Sequence, residues 1–184
     1  IFGIGEALIV AAAVGVSPWT VLAQGLARNL GWDLGFSTLV VSACVLICWM
    51  PLRQSPGIGT ILNAVIIALV FSFLLPYLPV FNDVAARVVQ AIVGVLITGF
   101  GGAIYLIANL GPGPRDGLMT GLQAVTDLPI AWVRSGIELG AIGLGWLLGG
   151  DVGFGTILFA LGIGPSIALS MYGLTIVFAK TRLN

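Results

Sequence analysis

Residues 1–70 and 97–166 carry one membrane segment written twice, at a constant offset of 96 (Pro18 to Pro114) and without a gap. Gly15-Val-Ser-Pro18-Trp-Thr-Val-Leu22-Ala-Gln-Gly25-Leu26 lies over Gly111-Pro-Gly-Pro114-Arg-Asp-Gly-Leu118-Met-Thr-Gly121-Leu122. Gly57-Ile-Gly59-Thr60-Ile61-Leu62-Asn-Ala64 lies over Gly153-Phe-Gly155-Thr156-Ile157-Leu158-Phe-Ala160. Apolar residues match one another easily in such a chain, so the shared Gly and Pro carry the weight. A duplication of this kind in a membrane protein points to a pseudo-symmetric transporter or channel whose pathway runs between the halves.

Lipid is the expected solvent. The chain is 59% hydrophobic and 8% charged, with a mean hydropathy of +1.14, whereas soluble domains carry about 25% charged residues. Formal net charge is zero and no basic patch or tail stands out, which argues against nucleic-acid binding. The 27 glycines and nine prolines suit close helix packing and deliberate breaks. One membrane domain over residues 1–184 is the natural count, with internal repeats at 1–80 and 84–179. Cys44 and Cys48 share a helix face without a neighbouring His and read as small packing residues rather than redox or metal groups.

Hydropathy gives spans near 1–16, 34–52, 58–78, 84–110, 130–148 and 154–179. The first is short for a crossing of about 20 residues, and its counterpart begins near Val84, so the start of the first span is expected to be missing. Three crossings per half is an odd number, so the second copy must enter the bilayer from the opposite face. The expected fold is therefore an all-α integral membrane protein of six transmembrane helices in a 3+3 inverted repeat. Arg53, Arg115, Lys180 and Arg182 fall on the side of the C-terminus, against Arg28 and Arg87 opposite. The excess of positive charge places both termini in the cytoplasm.

After the first span of each half comes a stretch too polar and too short to cross, Pro18–Gly31 and Pro114–Asp127. Proline suits the first turn of a helix, and Thr20, Gln24 and Arg28 repeat the polar stripe of Asp116, Thr120, Gln123 and Asp127. Two readings stand side by side. Each stretch is an amphipathic helix at the headgroups, or a re-entrant half-helix with its N-terminus near mid-bilayer, where protein or a water-filled cavity must satisfy the backbone.

Four strings in order, Pro18-Trp-Thr-Val-Leu-Ala-Gln-Gly-Leu26, Pro56-Gly-Ile-Gly-Thr-Ile-Leu-Asn63, Gly111–Leu122 and Gly149-Gly-Asp-Val-Gly-Phe-Gly-Thr156, resemble the YczE/YyaS/YitT group of bacterial multi-pass membrane proteins, in particular its YczE branch. The resemblance covers nearly the whole chain. It implies a bacterial plasma-membrane protein and supplies no substrate. Proteins of this type often have Asp after Pro-Trp. Thr20 stands there in this chain, so the acidic group survives only at Asp116.

Ionisable side chains inside a span cost about 2.5–3.5 kcal/mol each on insertion scales. Arg134 and Glu138 lie four apart and share a helix face, which suits either a structural ion pair or a coupling site. Arg115 and Asp116 at the second break extend this to a four-charge cluster. Glu6 stands in the first span opposite Gly102 in the repeat, and reads equally as a protonatable group and as a structural one. The helix starts at Gly15–Pro18 and Gly111–Pro114 offer N–H donors to an anion, so the candidate solute-binding set is Arg115, Asp116, Gly113, Thr20, Gln24 and Asn109. The expected arrangement sets the two short helices N-terminus to N-terminus across a cavity lined by Arg115, Asp116, Thr20 and Gln24. The Gly57-x-Gly59-Thr60 and Gly153-x-Gly155-Thr156 motifs read as tight turns with close packing, since neither has the Lys of a phosphate loop. Gly162-Ile-Gly164-Pro165-Ser166 is expected to interrupt the sixth span, as a hinge or as a packing bend.

With no His and no metal-ligand cluster in the sequence, neither an enzyme constellation nor a cofactor site is expected. The leading expectation is a transporter or facilitator of a small polar solute, anionic or zwitterionic, coupled to protons through Glu6 or Glu138 if coupled at all. A passive channel and a membrane scaffold for a partner enzyme are the alternatives. Expected partners are the bilayer and the solute, with a homo-oligomer left open.

Overall fold

The computed structural model describes the backbone of residues 1–181 and the side chains of residues 1–176. Among these, the chain forms eight α-helices and no strand: α1 (Phe2–Ala12), α2 (Pro18–Leu30), α3 (Leu34–Trp49), α4 (Ile58–Phe73), α5 (Val84–Ala108), α6 (Pro114–Thr126), α7 (Ile130–Leu147) and α8 (Phe154–Thr181), with a single 3₁₀ turn at Leu75–Tyr77. Arg182 lies outside the described residues and the side chain of Lys180 outside the described side chains, so the charge count at the C-terminal end is not seen.

Helix limits coincide at the offset of 96. Helices α2 and α6 match at both ends, each with Pro as its first residue, and α3 with α7 and α4 with α8 match at their starts. Left-handed residues recur in the same register: Ala13 with Asn109, Gly15 with Gly111, Gly31 with Asp127, Arg53 with Gly149. At Gly15 and Gly111 the conformation and the packing both demand glycine. Their φ values are +109° and +117°, and a Cβ would fall 2.7 Å from the backbone N of Gly153 and 2.9 Å from the Cα of Gly57.

The eight helices form two groups, each drawing equivalent helices from both halves. Helices α1, α4, α5 and α8 make one group, and α2, α3, α6 and α7 the other. The first group's apolar core is Ile9, Val95, Phe159 and Ile163 with Ala7, Ile67 and Phe71 beside it. The second is built on Trp19, Val45, Trp49 and Ala141. At the centre of the first, α1 crosses α5 without side chains between them: a Cβ on Gly5 would overlap Thr98, and one on Gly101 would overlap the backbone of Phe2. The groups are joined along one side, where α3 packs against α4. Among the described residues, no comparable contact joins α7 to α8 on the other side.

Helix length separates this structure from six plain spans. Three helical segments are long and apolar enough to cross a membrane, Ile58–Tyr77, Val84–Ala108 and Phe154–Ile176. A fourth candidate is the pair α2 and α3, bent by 117° at its break. Helix α1 has 11 residues and α3 has 16, short of a core about 30 Å thick at 1.5 Å per residue. In α7 the Arg134–Glu138 pair dilutes the hydropathy. Two local expectations change. Helix α8 runs unbroken through Pro165, and Cys44 and Cys48 are exposed on the outside of α3 rather than packed within the chain.

Glycine at the start of α8 yields a test. A Cβ on Gly155 would overlap the Gly15 carbonyl, whereas Gly140 on α7 has nothing within 4 Å. Gly155→Ala should lower thermal stability in detergent by about 1–3 kcal/mol, the usual cost of overpacking. Gly140→Ala should leave it unchanged or raise it by up to about 1 kcal/mol. Equal melting of the two variants would contradict this packing.

Candidate functional site: a polar cavity between the helix groups

The starts of α2 and α6 are held inside the protein by groups from other helices. Around α2, Ser17 and Thr20 are fully buried, and their hydroxyls donate to Oε2 of Glu6 at 2.8 and 3.0 Å. Ser17 makes no capping bond to its own helix and donates to Glu6. The Glu6 carboxylate thus sits at the positive end of α2, the favourable end for an anion. Its other oxygen, Oε1, is buried without a hydrogen-bond partner and lies 3.7 Å from Arg115 Nη1 on α6. The same guanidinium stands 5.8 Å above the ring of Trp19, within cation–π range.

Around α6 the partners differ, because Gly102 stands where the first half has Glu6. Tyr105 accepts from the Gly113 N–H and donates to Asp116 Oδ2 at 3.0 Å. Trp49, at the end of α3, lays its ring against Gly117 and donates its indole N–H to the Pro114 carbonyl at 3.0 Å. The two breaks are also capped across the halves. The Gly59 N–H donates to the Leu110 carbonyl at 2.9 Å, and the Gly155 N–H to the Val14 carbonyl at 2.7 Å.

Both helix starts border one cavity of about 350 Å³ between the two helix groups. Pro18 and Trp19 reach it from α2, Gly113 through Asp116 from α6, and Arg134 and Glu138 from α7. Most of the remaining wall is apolar and comes from α5 and α8, including Leu106, Phe159 and Ile163. Arg134 Nε donates to Glu138 Oε1 at 3.0 Å, with the two side chains 47% and 20% exposed. This is a pair at the mouth of the cavity rather than a fully buried one, since α7 and α8 stand apart there.

Of the residues singled out in the sequence, Arg115, Asp116, Gly113, Arg134 and Glu138 line this cavity. Thr20, Gln24 and Asn109 are not among its lining. Thr20 is turned to Glu6. Gln24 lies further along α2, where it accepts from the Asp151 N–H at 3.0 Å beside the Arg28–Asp151 ion pair. Asn109 ends α5 in a left-handed conformation and is exposed. Glu6 lies behind Arg115 rather than in the wall. Sequence reasoning did not single out Ser17, Trp19, Trp49 or Tyr105. Their partners lie on other helices, beyond the reach of any local pattern.

Apolar helices around a charged internal cavity define a helical membrane protein. The chain belongs to the family described as "Family of unknown function (DUF6198)", whose model matches residues 1–172. Similar proteins include an "Uncharacterized protein" of Haemophilus influenzae, 44% identical over 167 residues (91% of this chain, 77% of that one). The "Uncharacterized membrane protein YczE" of Bacillus subtilis is 33% identical over 160 residues, covering 86% of this chain and 74% of YczE. The "Uncharacterized protein YyaS" of the same organism is 25% identical over 162 residues (86% and 81%). The resemblance read from the four strings is therefore to the right group. No solved structure matches the chain.

Trp49 offers a test of how α6 is held. Trp49→Phe removes the donor from the Pro114 carbonyl. An acceptor left unsatisfied in the interior costs about 1–3 kcal/mol, so thermal stability in detergent should fall by that amount. Wild-type melting of the variant would show that the indole bond does not hold the α6 start.

Proposed function

We propose that this protein moves a small polar solute across the bacterial plasma membrane, through a pathway between two inverted repeats of three crossings each, with both termini in the cytoplasm. The observation that carries the reading is the cavity itself. The starts of both short helices and the Arg134–Glu138 pair converge on a space of about 350 Å³, the size of a small metabolite site. Two arginines and two carboxylates on a largely apolar wall that also holds Asn63 and Tyr105 suit an anionic or zwitterionic solute. Ionisable side chains gathered on the wall of an internal cavity in a membrane protein commonly mark such a path.

The helix groups suggest the motion. One side is closed by α3 on α4 and the other is open between α7 and α8, so the groups can rock about the closed side and expose the cavity alternately. The recurrent left-handed turns and matched helix limits support a repeat that extends to three dimensions. The solute passes unchanged, with no cofactor.

Uptake of labelled amino acids, small carboxylates and polyols by the purified protein in liposomes, with and without a proton gradient, tests the reading. We expect saturable uptake of at least one class. Leu106→Trp, which fills the cavity from α5, should reduce it at least tenfold with unchanged melting. Flux without saturation would indicate a passive channel, and no uptake of any class would favour a scaffold.

A further inference from the structure

We propose that Glu6 is a proton-binding site controlled by Arg115, and that the cavity takes a small monocarboxylate which draws Arg115 away from Glu6 as a proton arrives there. This rests on the solute pathway proposed above and names its substrate class and its coupling. Three oxygens, Glu6 Oε2, Ser17 Oγ and Thr20 Oγ1, form a closed triangle with edges of 2.8, 3.0 and 2.8 Å. All three side chains are buried. With Glu6 ionised, the two hydroxyls supply only two protons for three short contacts. A proton on Oε2 supplies the third, and each oxygen then donates once and accepts once. The triangle is thus built to hold the neutral acid as well as the anion.

What favours the anion is Arg115. At 3.7 Å it is the one cation paired with Glu6 among the described residues, and Oε1 has no hydrogen bond of its own. Among the described residues, no other ionisable group competes from the elements packed around α1. Helix α2 presents Ser17 and Thr20, and α4 has no ionisable residue in Ile58–Phe73. On α5, Arg87 binds the Ala12 and Ala13 carbonyls at the far end of α1, and Tyr105 is turned to Asp116. Tyr77, on the 3₁₀ turn, is exposed.

Charge counting then sets the solute. In the cavity wall, Arg134 is already paired with Glu138, while Asp116 accepts from the neutral Tyr105 hydroxyl and keeps its negative charge, which opposes any second anionic group. Arg115 is the single guanidinium held at longer range, so it matches one carboxylate. A dianion would bring a second negative charge without a partner. On binding, the Arg115 guanidinium keeps its protons and exchanges Glu6 for the solute carboxylate. One proton from water joins a Glu6 oxygen, so one anion and one proton enter together, and no covalent bond of the solute changes.

The experiment uses wild-type protein in nanodiscs with acetate, lactate and, as a neutral control, glycerol. Infrared difference spectra should show a carboxylic-acid C=O band as acetate or lactate binds, absent with glycerol and absent in Glu6→Gln. Wild-type protein should also take up one proton per site from a lightly buffered medium, a reading that needs no variant. In Arg115→Gln the band should be present without solute, because the cation facing Glu6 is gone. Spectra unmoved by both acids, or no band in solute-free Arg115→Gln, would overturn the proposal. Proton-linked binding without uptake in liposomes would keep the Glu6 assignment and defeat the transport reading instead.

Discussion

Every interrupted helix inside a protein leaves backbone groups that something must satisfy, and here each half satisfies the other's. The chain breaks after α1 and after α5. The carbonyl of Val14 in the first break accepts from Gly155 at the start of α8, and that of Leu110 in the second accepts from Gly59 at the start of α4. Thr60 adds a bond to the Pro112 carbonyl at 2.6 Å. Glycine is required on both sides of these contacts, because the backbones meet without room for a Cβ. Neither half could keep its break alone, and the short helices α2 and α6 are positioned as a consequence.

Once the breaks are held, the differences between the halves build the site. Glu6 fills the space at the α2 start and is covered by Ser17 and Thr20. Gly102 leaves the equivalent space open at the α6 start, and the cavity extends into it. Helix α3 closes on α4, while α7 stays off α8 and brings Arg134 and Glu138 to the opening. Helices with matched limits in the two halves thus carry an asymmetric charge pattern, with one buried carboxylate facing one guanidinium across the two helix groups.

How much of this the sequence disclosed follows from how far apart the partners lie. Pro18 and Pro114 open short helices, as their spacing from Gly15 and Gly111 indicated, and the Gly-x-Gly-Thr strings serve as tight starts packed on a neighbour. Arg134 and Glu138 pair because an i,i+4 spacing on one helix already brings them together. The Glu6–Arg115 pair joins α1 to α6, and the Trp49–Pro114 bond joins α3 to α6. Neither leaves a local pattern to read. The gap between α7 and α8 was hidden as well, since α3 and α7 hold equivalent places in the repeat and differ in which neighbour they find. Gln24 misled because it continues the polar stripe of α2, yet that stripe turns from Glu6 at Thr20 to the outer Asp151 loop by Gln24.

The proposed pathway requires the two halves to enter the membrane from opposite sides, with equivalent residues on opposite faces. Asn29 and Val125 are such a pair, both exposed near the ends of α2 and α6. Single cysteines at these positions, in a chain with Cys44 and Cys48 replaced, should react with a membrane-impermeant thiol reagent from opposite sides of sealed vesicles. Labelling of both from the same side would contradict the inverted arrangement and the pathway built on it.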